Sequence, residues 1–145
     1  MPKCILGWGD LDGNNHLANT AILNRAADAR LSFFAEHGFP GSRFASEGLG
    51  PVVAGDVLEY RKESRLQEAF TIDLHLEGLS ADGVRVAFRN VFRNEADGVT
   101  SIGTSEGVWF DLVTRRPRAH PPELDVIQRA IPRTESFHVL PARRR

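Results

Sequence analysis

Between residues 8 and 20 the chain reads Trp8-Gly9-Asp10-Leu11-Asp12-Gly13-Asn14-Asn15-His16-Leu17-Ala18-Asn19-Thr20. Two carboxylates, one imidazole and three amides fall within ten residues, just ahead of a segment patterned as a helix. The first turn of a helix carries backbone N–H groups without intrahelical acceptors, at the positive end of the helix dipole. An oxyanion developing on a carbonyl oxygen is stabilised there, and a carboxylate beside it can act as base or nucleophile. These parts suit acyl chemistry. The same stretch also works as plain structure: Asp12-Gly13-Asn14-Asn15 has turn composition, Asn19 or Thr20 can cap the helix, and His16 can be a packed polar side chain. Residue types alone leave both readings open.

The elements around this cluster follow from hydropathy period. Over residues 21–37, Leu23, Ala27, Leu31 and Phe34 recur at helical spacing, with Ile22, Ala26 and Phe33 widening the stripe. This predicts one long, largely buried helix, ended by Gly38 and the following Phe39-Pro40-Gly41. After Gly50-Pro51 the period changes to two. Phe70, Ile72, Leu74 and Leu76 alternate with Thr71, Asp73, His75 and Glu77. A second strand sets Val84, Val86, Phe88 and Phe92 against Arg85, Arg89 and Arg93. A third sets Ile102, Val108, Phe110 and Leu112 against Gly103, Ser105, Gly107 and Trp109. The turns Ala81-Asp82-Gly83 and Ala96-Asp97-Gly98 make these an antiparallel meander. Residues 52–61 read as a further strand interrupted near Gly55, residues 4–8 as a short first one, and residues 123–130 as a short helix. From about residue 133 the chain is expected to fray.

The chain has 145 residues, of which 41% are hydrophobic and 26% charged, the balance of a single folded domain over residues 1–145. Eighteen basic and 19 acidic side chains leave a net charge of -1, so no global field draws it to nucleic acid or an anionic membrane. The one cysteine, Cys4, allows no internal disulfide and no zinc site, and no two histidines have metal-ligand spacing. No apolar run approaches a membrane span of about 20 residues. The expectation is a cytoplasmic protein without metal or cofactor. An antiparallel sheet with one apolar helix buries most by wrapping around that helix, giving an α+β fold of about five strands. Its open edge strand predicts pairing with a second copy.

The motif Asp10-Leu11-Asp12-x-x-x-His16-Leu17-x-Asn19, preceded by Trp8-Gly9 and followed by Ala29-Arg30-Leu31-Ser32-Phe33-Phe34 in the helix, resembles the start of the hotdog-fold acyl-CoA thioesterases related to 4-hydroxybenzoyl-CoA thioesterase. The resemblance continues through Gly50-Pro51-Val52-Val53, residues 58–65 and Gly107-Val108-Trp109-Phe110-Asp111, covering roughly residues 4–125. The sequence departs from the family's commonest form at Ala18, where a second Asn is usual, and at Asn14-Asn15.

The resemblance implies a hotdog fold, a homodimer or dimer of dimers, and hydrolysis of an acyl-CoA, or an acyl carrier protein thioester, without a cofactor. It assigns Asp12 as nucleophile or as base for water, the backbone N–H at Asn19 as polariser of the thioester carbonyl, and His16 as an orienting or proton-transferring group. Thr20 falls among the substrate-binding residues. Asp10 is expected to brace the turn. Coenzyme A phosphates need cations, for which Arg61, Lys62 and Arg65 form one set, Arg85, Arg89 and Arg93 a second, and Arg115 with Arg116 a third. Two rivals stand beside this reading. A hotdog enoyl-CoA hydratase or dehydratase is expected to read Asp-x-Asn-Pro-x-His, and no Pro stands between Asp12 and His16. A non-catalytic acyl- or CoA-binding domain has little use for the Asp12 carboxylate.

Overall fold

A computed structural model describes residues 3–96 and 98–142 of the chain. β1 (Lys3–Ile5) leads through a 3-10 turn at Trp8–Asp10 into α1 (Asn19–Glu36). A short α2 (Gly41–Glu47) precedes four long strands, β2 (Leu49–Tyr60), β3 (Ala69–Ser80), β4 (Arg85–Asn94) and β5 (Val99–Asp111). β6 (Arg116–Pro117), α3 (Pro122–Arg129) and β7 (Arg133–Leu140) follow. The strands form one sheet in the order β1-β3-β4-β5-β2, with β6 added to β5 and β7 to β3. β3, β4 and β5 are the antiparallel meander, and β2 returns antiparallel to β5 to stand at the edge. In the first hairpin Gly83 takes a φ of 77°, and Asp82 Oδ1 accepts the Val84 N–H. Asp97, in the middle of the second, lies outside the described residues.

The helix packs on the inner face of the sheet and divides the core in two. Its first half buries Ala21, Ile22 and Ala26 against Leu6, Leu17, Phe70, Ile72 and Phe92. Its second half buries Phe34 against Phe39, Phe44, Leu76, Phe88 and Trp109. Each such large apolar side chain contributes about 1.5–3 kcal/mol on burial. α3 closes the second cluster through Leu124 and through the fully buried Gln128. The Gln128 Oε1 accepts the Trp109 indole N–H at 2.8 Å, and its Nε2 donates to the Gly83 carbonyl at 3.2 Å.

Several expectations are corrected. The helix begins at Asn19, not at residue 21, and its N-cap is Ala18, so neither Asn19 nor Thr20 caps it. The chain is held there instead by the Ala18 N–H, which donates to the Asp10 carbonyl. Of the predicted stripe, Ile22, Ala26 and Phe34 are buried, Leu23, Ala27 and Phe33 are half-buried and Leu31 is 49% exposed, so the helix is less buried than expected. All of these side chains are apolar, and only contact with the sheet chooses among them. On β5 the inner face is the one bearing Gly103, Ser105, Gly107 and Trp109, because α1 and β2 approach closely there. A Cβ on Gly103 would stand 3.2 Å from the Ile22 side chain. The first strand stops at Ile5, and a helical turn follows Pro40, which is the N-cap of α2. The tail expected to fray from 133 is β7, laid parallel to β3 with Leu140 buried and Glu77 accepting the Thr134 and Ser136 hydroxyls. Its alternation is weak because most of its side chains face solvent.

Candidate active site

Asp10 and Asp12 sit two residues apart and differ in their partners. Asp10 Oδ2 accepts the Gly7 N–H at 2.8 Å and the Arg25 guanidinium at 3.0 Å, which ties the loop to the helix. Burial works against its charge, but those two donors outweigh it and hold the Asp10 pKa below the usual range. Asp12 Oδ1 accepts the backbone N–H groups of Asn14 at 2.8 Å and His16 at 2.9 Å. The His16 amide is the larger influence holding the Asp12 pKa down, so the carboxylate is charged at neutral pH. Its second oxygen is 3.8 Å from His16 Nδ1.

The loop closes on itself as a turn of the kind its composition predicts. The Asp12 N–H donates to the His16 carbonyl, Leu11 bridges to Leu17, and Asn15 takes a φ of 61°. The hydrogen bonds that make the turn also fix the Asp12 carboxylate ahead of the helix. Asn19 and Thr20 are the exposed first two residues of α1. The first intrahelical acceptor is Ala18, which takes the Ile22 N–H, so the Asn19 N–H has no acceptor among the described residues.

A second segment meets this loop. The Ser64 N–H donates to the Asn15 carbonyl at 2.6 Å, and the Tyr60 ring stands edge-on to His16 at 6.0 Å. The exposed Arg61 and Arg65 belong to this segment, and Arg61 pairs with Glu59 at 2.8 Å. No three His, Cys, Asp or Glu side chains among the described residues are placed to hold a metal ion, and no described helix is long and apolar enough to cross a membrane.

The family model of the thioesterase-like superfamily matches residues 6–130, from the end of β1 through α3. The chain belongs to the thioesterase-like superfamily. Solved structures agree in fold at low identity. A DHNA-CoA thioesterase from Staphylococcus aureus matches with a TM-score of 0.76 at 16% identity, over 87% of this chain and 85% of that one. A 1,4-dihydroxy-2-naphthoyl-CoA thioesterase from Synechocystis matches at 0.76 and 12%, over 89% and 94%. The Staphylococcus aureus protein SAV2348, solved in complex with CoA, matches at 0.76 and 18%, over 92% and 85%. No curated protein matches the chain. The sheet wrapped on α1 is thus the hotdog fold that the motif implied.

On this thioesterase-like scaffold the second set of arginines is engaged elsewhere. Arg85 pairs with Glu106 at 2.6 Å, Arg93 with Asp73 at 2.7 Å, and Arg89 lies 4.0 Å from both Glu59 and Glu77. Arg115 covers the Phe110 ring at 5.4 Å. Sequence reasoning missed a set of polar side chains on the inner side of the sheet, Arg30 on α1 bonded to Asn90 on β4 and Ser105 on β5 bonded to Asp56 on β2. The available signal was Asn90, a polar residue in register with the inward Phe88 and Phe92.

Proposed function

We propose that this protein hydrolyses acyl-CoA thioesters at a site shared by two copies of the chain, with Asp12 driving attack on the carbonyl. The observation that carries this is the Asp12 carboxylate, ionised and fixed by two backbone N–H groups, immediately ahead of a helix whose Asn19 N–H is unpaired among the described residues. The thioester oxygen accepts the Asn19 N–H, and negative charge developing on it meets the positive end of the helix. As base, Asp12 takes a proton from water while the water oxygen adds to the carbonyl carbon. Collapse of the adduct breaks the C–S bond, and the departing thiolate takes up a proton. As nucleophile, the Asp12 carboxylate adds to the carbonyl carbon and the C–S bond breaks to release the CoA thiolate, leaving an anhydride that water then cleaves to the free acid and the Asp12 carboxylate. His16 orients the Asp12 oxygen, Thr20 borders the carbonyl, and Arg61 and Arg65 meet the phosphates of CoA. A thioester is already activated, so no cofactor is required.

The second copy is argued from β2. This edge strand is 12 residues long, residues 51–57 are exposed, and it presents Val52, Val53 and Val57. Such an edge is covered when the same strand of another copy pairs with it antiparallel. Pairing about the strand's middle sets the Tyr60 end of one copy, with His16 and Asp12, beside the Leu49 end of the other.

The test is thiol release from a panel of aromatic, short-chain and long-chain acyl-CoAs, with wild type beside Asp12→Asn. Loss of a positioned base predicts a drop of at least about 100-fold in a variant that stays folded. Near-wild-type turnover by Asp12→Asn removes Asp12 from the mechanism. Binding without turnover of any thioester favours a non-catalytic domain.

A further inference from the structure

A cavity of about 200 Å³ opens between the second half of α1 and the strands β2, β4 and β5. Its wall is apolar, with Leu31, Phe34, Val53, Phe88 and Trp109 among the lining residues, and Arg30 stands in that wall. The guanidinium carries five N–H donors in a rigid fork. Here Nη1 donates to Asn90 Oδ1 at 3.1 Å, and the group lies over the Phe88 ring at 5.8 Å. No other hydrogen bond or ion pair engages it among the described residues. Asp56 acts on Arg30 across a gap wider than an ion pair, and its carboxylate accepts the Ser105 hydroxyl. Glu106, also on the cavity wall, is held by Arg85. Asn90 is fully buried, and its Nδ2 has no acceptor among the described residues. An arginine is held among apolar side chains, and its neighbour also offers an unused donor. A half-buried cation facing an apolar wall is costly unless an anion meets it.

We propose that this cavity selects acyl groups bearing a carboxylate at the end of a short apolar stem or ring, with Arg30 as the residue that reads the charge. A carboxylate can take two parallel N–H bonds from the guanidinium, a geometry a neutral methyl end cannot use. An apolar cavity of roughly 150 Å³ accepts a benzene ring, so this one fits one ring or a chain of about four to six carbons. The inference rests on the thioesterase reading and on the shared site. Asn19 and Arg30 are eleven residues apart, about 16 Å along one helix, too far for a short acyl group to span within one chain. The paired β2 strands remove that distance, because the Pro51–Val53 side of the cavity in one copy adjoins the Asp12 loop of the other.

The experiment uses thioether analogues of glutaryl-CoA and valeryl-CoA, which match in length and cannot be hydrolysed, and measures their binding by calorimetry to wild type, Arg30→Met and Arg30→Lys. Thermal melting and sedimentation confirm that each variant is folded. Wild type is expected to bind the carboxylate analogue at least tenfold more tightly than the neutral one. Arg30→Met should erase or reverse that ratio, and Arg30→Lys, which keeps the charge and loses the fork, should retain part of it. In hydrolysis, glutaryl-CoA should outpace valeryl-CoA in kcat/KM by a similar factor, with the preference lost in Arg30→Met. Equal binding of both analogues by wild type, or a ratio that Arg30→Met leaves unchanged, overturns the inference and leaves the thioesterase reading standing. Binding of neither analogue also overturns the inference, and turnover across the aromatic, short-chain and long-chain panel decides the thioesterase reading separately.

Discussion

Gly107 on β5 tests whether the edge strand is seated as described. At the irregularity between Val53 and Gly55, β2 crosses so close to Gly107 that a Cβ there would stand 3.0 Å from the Val52 carbonyl carbon and 3.1 Å from the Val53 Cα, with the Val52 oxygen nearer still. Carbon atoms rest at about 3.5–4.0 Å, and these neighbours are backbone, so Gly107→Ala forces the strand outward by on the order of 1 Å. Overpacking of this kind costs about 1–3 kcal/mol, and the lost β2·β5 hydrogen bonds place this case near 3 kcal/mol. For a domain of this size that is a fall in Tm of roughly 6–12 °C. Gly55→Ala is the matched control on the same irregularity. Nothing lies within 4 Å of its Cβ, so its effect should stay within about 0.5 kcal/mol of zero or favour the fold slightly. The assay is chemical and thermal denaturation of both variants beside wild type. A Gly107→Ala Tm within about 2 °C of wild type would falsify the close crossing.

Two further outcomes concern the core and the loop. Gln128→Leu strands the Trp109 indole N–H and removes the amide bond to the Gly83 carbonyl, and should destabilise by about 1–3 kcal/mol in denaturation followed by tryptophan fluorescence; a change under about 0.5 kcal/mol would show that neither bond matters. The pH profile of kcat/KM should keep its acid limb below the ordinary aspartate value of about 3.9 for as long as the fold survives, because the His16 and Asn14 amides lower the Asp12 pKa and the base stays ionised until pH falls through that lowered value. An acid limb above about pH 5 would assign the essential base to another group.

Where one period is unambiguous, the sequence located the element. Phe70, Ile72, Leu74 and Leu76 marked β3 and its inner face, and Gly55 marked the break in β2. The loop around Asp12 was legible because turn composition and a following helix are both local signals. Legibility failed where the deciding contact is remote in sequence. Leu23, Ala27 and Leu31 were as apolar as Ile22 and Ala26, and the sheet selected the latter. The inner face of β5 holds glycines and serines because a helix and a neighbouring strand come close, which no period reveals. β7 is a strand through its bonds to β3, sixty residues away, rather than through its own alternation. The partnering of Arg30 with Asn90 is likewise set by packing across the fold.

The two margins of the sheet are unequal, and this bears on how copies can add. On one side β3 is capped by β1 along Ala69–Thr71 and by β7 from Leu76 to Ser80, leaving only a short interval bare. On the other, no strand pairs with the outer side of β2 among the described residues, and residues 51–57 are exposed. Growth of strands into a fibre needs two open margins per molecule, one to receive and one to offer. On the pairing through β2 proposed above, two copies would close that margin together, and the joined pair would present capped margins at both ends. The short strands on the β3 side would then stop further strand addition, and truncating β7 should open a second margin able to propagate it.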